Sequence, residues 1–140
     1  MIYLTRRYRF SASHRLHNPR LPEEENRRLY GKCNNEGGHG HNYALEVTVA
    51  GEPDPRTGMV VNLAELDGIV EREILERYDL ANLNADRESF ADQVPTTENL
   101  CREIFRRLRR GFRPAPVTRV RLEETSLNAF EIREEAGESR

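Results

Sequence analysis

The amino-acid sequence predicts an α+β fold of order ββααββ, in which two helices cover one face of a four-stranded antiparallel sheet. Apolar and polar residues alternate near both ends of the chain, helical periodicity dominates the middle, and turn-forming residues separate the segments. The 140 residues contain no repeat or linker. We therefore expect one domain over residues 1–134, followed by a disordered acidic tail over residues 135–140.

Two alternating segments near the N-terminus predict the first two strands. In residues 2–14 the even positions are apolar except for Arg6, and His14 ends this face. A long charged excursion with two prolines follows before the second alternating segment. Its odd positions share one face and include two histidines at the start: His39, His41, Tyr43, Leu45, Val47 and Val49.

The middle of the chain switches to helical spacing. Asn62 is a candidate N-cap for a helix that runs to Tyr78, with Glu65 at the capping-box position. A second helix is predicted to begin within the sequence PTTEN, residues 95–99, and to end near Gly111. The sequences VTRVRLEET and AFEIRE then predict two further strands joined by a short turn.

Composition excludes several classes of partner. The net charge of −2 and the pI near 6.1 give no electrostatic basis for nucleic-acid binding. No segment is long and apolar enough to cross a membrane, and two cysteines do not suggest a secreted disulfide framework, so we expect a cytoplasmic protein. Six arginines on the second helix and just after it are expected to form a solvated face: Arg102, Arg106, Arg107, Arg109, Arg110 and Arg113.

Three histidines form a candidate metal site. His39 and His41 lie two residues apart on a strand and project from one face, and His14 ends the apolar face of the first strand. Three neutral imidazoles would leave one position of a tetrahedral zinc site open, as in catalytic zinc sites. The alternative is that these are ordinary strand histidines. His17, in the following loop, is expected to be solvated.

The loop before His39 carries a candidate reactive thiol. Cys33 follows Lys32 in a polar, glycine-rich segment, and a neighbouring cation would lower the pKa of the thiol. The alternative is a small buried side chain, which is the interpretation we prefer for Cys101 on the apolar stripe of the second helix.

Several motifs together resemble one enzyme family. In order they are FSASHRL, EEN, GKCNN, GHGHNY, GEPDPRTGMVVNL, FAD, TTEN and ET. The chain is similar to the 6-pyruvoyltetrahydropterin synthase and 6-carboxytetrahydropterin synthase family from residue 10 almost to its end. The resemblance implies a T-fold, in which the sheets of several subunits assemble into a barrel, commonly as a homohexamer.

The resemblance also implies a set of catalytic roles. His14, His39 and His41 match the family's Zn²⁺ ligands, and Cys33 matches the general base that moves protons on the substrate side chain. Asp79 matches the first residue of an Asp-His pair that tunes this cysteine. The implied reaction eliminates triphosphate from 7,8-dihydroneopterin triphosphate, with internal redox of the side chain and no nicotinamide or flavin.

Two further motifs match the family's pterin-binding residues. Glu124 matches the carboxylate that anchors the 2-amino-pyrimidinone edge through two parallel hydrogen bonds. Thr96, Thr97 and Glu98 match a second pterin-contacting motif. The same three residues are equally suited to capping the second helix.

The chain departs from the family pattern at Leu80, which stands where the family has a histidine. Besides a pyruvoyl synthase, three alternatives remain open at this point. They are the 6-carboxytetrahydropterin synthase of queuosine biosynthesis, a metal- and pterin-binding protein with weak catalysis, and an aldolase that cleaves the side chain of dihydroneopterin.

Overall fold

A computed structural model describes residues 1–134, so the predicted disordered tail at 135–140 lies outside the described residues. The strands are β1 (Ile2–His14), β2 (His39–Gly51), β3 (Ala81–Asn82), β4 (Val117–Thr125) and β5 (Asn128–Arg133). The helices are α1 (Glu23–Tyr30), α2 (Leu63–Val70), α3 (Glu76–Tyr78), α4 (Arg87–Phe90) and α5 (Thr97–Gly111).

The sheet has the strand order β3-β1-β2-β4-β5. β1, β2, β4 and β5 pair antiparallel, as the ββααββ order predicted. The prediction of four strands is wrong by one, because β3 adds a short parallel strand beside Ala12 and Ser13. Two residues are too few to show an alternating pattern, so this strand left no periodic signal in the sequence.

The two main helices begin at the predicted caps. The Asn62 side chain accepts a hydrogen bond from the Ala64 amide at 2.9 Å, and the Thr96 hydroxyl accepts one from the Asn99 amide at 3.2 Å. The first predicted helix passes through a π-helical segment, Glu71–Leu75, between α2 and α3, and ends at Tyr78 as expected.

The hydrophobic core lies between one face of the sheet and the helices. Fully buried side chains of β2 and β4 meet those of the helical layer, among them Leu45, Val47, Leu122, Leu66, Ile74, Leu100, Ile104 and Leu108. Burying each such side chain contributes about 1.5–3 kcal/mol relative to leaving it exposed. This layer holds the facing ends of β1 and β2 in a fixed register, from Ile2 opposite Gly51 to His14 opposite His39.

The charged excursion between β1 and β2 is ordered by buried asparagines. The Asn26 side chain, 0% exposed, accepts from the Asn18 amide at 2.8 Å and donates to the Asn18 carbonyl at 2.9 Å. The Asn34 side chain donates to the Leu16 carbonyl at 2.8 Å. These bonds satisfy loop backbone groups in the way a strand or helix would. The segment therefore has a defined path, although it contains only one α-helix, α1, and a single 3-10 turn.

The predicted arginine-rich solvated face needs correction at two of its six residues. Arg107 is only 5% exposed, and its guanidinium lies 3.3 Å from the Glu88 carboxylate. Arg109 is half-buried, with its guanidinium 3.0 Å from Glu134. Arg102, Arg106, Arg110 and Arg113 are exposed, as expected. Within residues 1–134 the structure contains no helix whose length and hydropathy would suit a membrane span.

Candidate metal and substrate site

Three imidazole rings converge at the end of the β1–β2 pair. The strand register places His14 directly opposite His39, and His41 follows two residues later on the same face. One ring nitrogen from each histidine lies within 4.8 Å of the others. The Nε2 atoms of His14 and His39 are 3.0 Å apart. The structure thus brings together the three residues that the sequence pattern selected.

The surroundings of these rings fit a bound cation. The Nδ1 atom of His14 lies 2.8 Å from the Pro95 carbonyl oxygen, so that nitrogen carries the proton and Nε2 is left as a lone-pair donor. The Nε2 atom of His41 is buried and has no hydrogen-bond partner within residues 1–134. Burial lowers the pKa of both His14 and His41 below 6.5, which favours the neutral form that binds metals.

Glu124 lies close enough to the histidine cluster for their charges to interact. Thr97 Oγ1 donates a hydrogen bond to Glu124 Oε2, and Asn128 Nδ2 donates to Oε1 at 3.3 Å. Burial raises the pKa of Glu124, but the bond from Thr97, the bond from Asn128 and the nearby His41 outweigh it, and the net pKa is lowered. Glu124 is therefore an ionised acceptor facing the histidine side of the sheet.

The three residues of the TTE motif have different surroundings. Thr97 is 1% exposed and bonds to Glu124, whereas the Thr96 hydroxyl caps α5. Glu98 is exposed in the first turn of α5, where its negative charge interacts favourably with the positive end of the helix dipole. Thr96 thus takes the capping role that the sequence allowed, while the pterin contact of this motif stays a prediction.

Neither Cys33 nor Asp79 belongs to the cluster of converging histidine nitrogens within one chain. Cys33 is half-buried in a 3-10 turn, Gly31–Asn34, and its carbonyl accepts a bond from the Leu16 amide at 2.8 Å. Its thiol does not join the group of metal-binding atoms found in residues 1–134. The Asp79 carboxylate accepts a bond from the Ser11 amide at 2.9 Å, beside β1.

Steric crowding explains the glycine at position 38, in the sequence GGHGH of residues 37–41. Gly38 has a φ of 71°, and a Cβ placed there would lie 2.6 Å from the His14 carbonyl oxygen. No larger residue fits between the start of β2 and the end of β1 without moving the backbone. Gly38 thereby allows His14 and His39 to approach each other.

Leu80 has an unusual backbone conformation and an exposed side chain. Its φ is 60°, and it is the only non-glycine residue with a positive φ within residues 1–134. The side chain is 85% exposed, next to a surface depression lined by Ser11, Ser13 and His41. A leucine side chain neither ionises nor donates hydrogen bonds. It therefore cannot tune the cysteine in the way implied for the histidine that the family has at this position.

Two groups near the cluster were not predicted from the sequence. The Tyr43 hydroxyl is buried without a hydrogen-bond partner in the described part of the chain, and burial raises its pKa. The odd-numbered face of β2 carried a signal for it, because His39, His41 and Tyr43 share that face. The Pro95 carbonyl, which orients His14, has no sequence signal because it is a backbone group.

Comparisons with known proteins show which family the chain is similar to. Residues 3–135 match the family described as 6-pyruvoyl tetrahydropterin synthase. The chain is 47% identical to the 6-pyruvoyl tetrahydrobiopterin synthase of Poecilia reticulata over 133 residues, which cover 95% of this chain and 90% of the relative. It is 48% identical to the human 6-pyruvoyl tetrahydrobiopterin synthase over 125 residues, 89% of this chain and 86% of the relative.

The fold is also similar to a solved structure. The Caenorhabditis elegans 6-pyruvoyl tetrahydropterin synthase superposes with a TM-score of 0.90 at 39% identity, covering 96% of each chain. This likeness confirms the T-fold that the sequence motifs implied. With a family match over nearly the whole chain and relatives near 48% identity, the chain belongs to the 6-pyruvoyl tetrahydropterin synthase family.

Proposed function

We propose that the chain is a zinc-dependent lyase that converts 7,8-dihydroneopterin triphosphate to 6-pyruvoyltetrahydropterin and triphosphate. The observation that carries this proposal is the convergence of His14, His39 and His41 beside the Thr97–Glu124 pair. The two relatives described above are pyruvoyl synthases, so the carboxytetrahydropterin alternative and the weakly active binder are not favoured.

The histidine cluster is proposed to hold Zn²⁺. Three neutral imidazoles suit zinc and leave one coordination position open. The Pro95 carbonyl would orient the His14 ring by accepting a hydrogen bond from its Nδ1. Bound there, zinc would act as a Lewis acid toward the side-chain hydroxyls of the substrate.

Glu124 is proposed to anchor the pterin ring. An ionised carboxylate with two oxygens can accept two parallel N–H bonds from the 2-amino-pyrimidinone edge, as it does from a guanidinium. Thr97 fixes one oxygen of the carboxylate and helps to keep its pKa low. The ring would thus be oriented before the chemistry begins, with its side chain directed toward the histidines.

Cys33 is proposed to be the base, with Asp79 as a supporting proton acceptor. The thiolate removes a proton from the substrate side chain, and triphosphate leaves with the electron pair of the C–O bond. Tautomerisation then turns both hydroxyl-bearing carbons into ketones while the ring gains two hydrogens. The substrate supplies both the electrons and their acceptor, so no external oxidant is needed.

The complete site is proposed to form in an oligomer, as a homohexamer in the cytoplasm. Neither Cys33 nor Asp79 joins the group of converging metal-binding atoms in one chain, and the outer edge of β5 has no partner strand within residues 1–134. An unpaired edge is a template for pairing with another copy. Neighbouring subunits would then supply the missing groups, and a dissociated chain would be inactive.

The test is a zinc-loaded assay with 7,8-dihydroneopterin triphosphate and identification of products by mass. The natural chain is run beside Leu80→His, and Leu127→His serves as a matched control because Leu127 is also exposed. We expect triphosphate and the pyruvoyl product from all three proteins, with the highest rate from Leu80→His. A carboxy product, or turnover by Leu80→His alone, would overturn the proposal.

A further inference from the structure

A basic cavity lies beside the histidine cluster, and the proposed catalytic groups do not use it. It has a volume of about 340 Å³ and runs between the loop that follows β1 and the segment that precedes α5. Its walls carry three arginines and one histidine against a single acid: Arg15, Arg20, Arg87, His17 and Asp92. We call this cavity the arginine pocket.

The arginine pocket begins immediately behind one proposed metal ligand. Arg15 follows His14 in the chain, and Pro95 forms part of the wall. The Pro95 carbonyl oxygen is the group that lies 2.8 Å from His14 Nδ1. One imidazole ring therefore separates the pocket wall from the convergent Nε2 atoms, which is a short distance for a substrate tail to span.

The arginines of this pocket are not neutralised by the protein. None of the three forms an ion pair with a carboxylate within residues 1–134, unlike Arg77 and Arg119, which form two or more each. Arg15 donates only its Nε to the Asn34 carbonyl, at 2.8 Å. Its terminal nitrogens remain as donors, and three arginines that pair with no carboxylate of the described chain favour an anionic ligand.

The backbone around the pocket is held in place by asparagines rather than by the arginines. The Asn84 side chain accepts from the Arg15 amide at 2.7 Å and donates to the Arg15 carbonyl at 2.9 Å. Asn26 binds both backbone groups of Asn18. Apart from the single Arg15 Nε bond to the Asn34 carbonyl, the guanidinium groups make no contact in the described part of the chain that holds the loop, so they remain available to a ligand.

We propose that the arginine pocket binds the triphosphate group of the substrate. This inference rests on the proposed function, because it assigns a subsite for the leaving group of that reaction. Guanidinium groups bind phosphate oxygens through paired N–H donors, and a highly charged oligophosphate matches three unpaired arginines better than a single phosphate does. The pocket volume lies at the lower end of the range of small-molecule sites, about 300–1,000 Å³.

The direct test titrates inorganic tripolyphosphate into the zinc-loaded full chain by calorimetry, with zinc content measured before and after. The variant is Arg20→Ala/Arg87→Ala, since both side chains are exposed and their removal spares the core. The control is Arg110→Ala/Arg113→Ala, which removes equal charge from α5 and the residues after it. We expect the pocket variant to bind tripolyphosphate about tenfold more weakly or worse, and the control to match the natural chain. Equal affinity in the pocket variant, or loss in the control, would overturn the assignment.

A second comparison separates this inference from the proposed function. The KM for 7,8-dihydroneopterin triphosphate should rise in the pocket variant, while the affinity for 7,8-dihydroneopterin without phosphates should not change. If the natural chain binds tripolyphosphate through these arginines but makes no pyruvoyl product, the proposed function fails and the anion pocket stands. If product forms and both variants keep the natural KM, the pocket assignment fails alone.

Discussion

Asn26 organises the loop that leads away from His14, and replacing it with alanine tests whether that loop is held as described. The substitution removes the bond that Asn26 accepts from the Asn18 amide. It also removes the contacts of the Asn26 Nδ2 group, whose two hydrogens are shared among the carbonyls of Asn18, Leu21 and Pro22. At about 0.5–1.5 kcal/mol each, and less for the two bonds of 3.2 Å, the loss is about 2–4 kcal/mol.

Urea unfolding at one fixed chain concentration measures this loss, because the stability of an oligomer depends on concentration. The midpoint should fall by about 1–2 M for Asn26→Ala. Asn35→Ala is the matched control, since Asn35 is exposed and its side chain makes no hydrogen bond within residues 1–134. The control should stay within about 0.5 kcal/mol of the natural chain. An equally small effect of Asn26→Ala would refute the proposed role of the asparagine.

Three further predictions concern Leu80, Glu124 and Cys33. Leu80→Gly should raise stability by about 1 kcal/mol in a thermal melt, because it relieves a positive φ, whereas Leu80→Ala should leave the melting temperature unchanged. The folded-state pKa of Glu124 is lowered, so its stabilising contribution is complete above its ordinary pKa of 4.5 and is lost as the pH falls through the lower folded value. The same carboxylate is proposed to accept the N–H bonds of the pterin, so pterin affinity should stay constant from neutral pH down to about pH 5. In Thr97→Val the loss of affinity should begin at a higher pH. An unchanged onset in that variant would refute the claim that the Thr97 bond keeps the pKa of Glu124 low. Cys33→Ala should lower kcat by about 10²–10⁴ without changing zinc content, and near-natural turnover would remove Cys33 as the base.

The histidine cluster was predictable from the sequence because it depends on local rules. Alternation along a strand places His39 and His41 on one face without knowledge of the tertiary structure. The apolar parity of β1 placed His14 at the end of a matching face, and strand pairing completed the cluster. The same parity left Arg6 unexplained. In the structure its guanidinium donates to both oxygens of Asp67 on α2, at 3.1 and 3.0 Å.

Other features escaped prediction because they depend on contacts between distant segments. Buried Arg107 pairs with Glu88, which lies on α4, a helix too short to leave a periodic pattern. β3 exists only because it pairs with the end of β1. Cys33 and Asp79 were assigned by resemblance, and within one chain they do not meet the histidines, so their roles stay predictions until an assembled oligomer is tested.

The most direct test of the central claim is the zinc content of the purified chain and of two histidine variants, measured by mass spectrometry of the metal. We predict about one zinc per chain for the natural protein and for His17→Ala, because His17 lies outside the cluster, and almost none for His39→Ala. If His39→Ala retains the same number of zinc ions per chain as the natural protein, the three convergent histidines are not the metal site. The proposed zinc-dependent mechanism would then be contradicted.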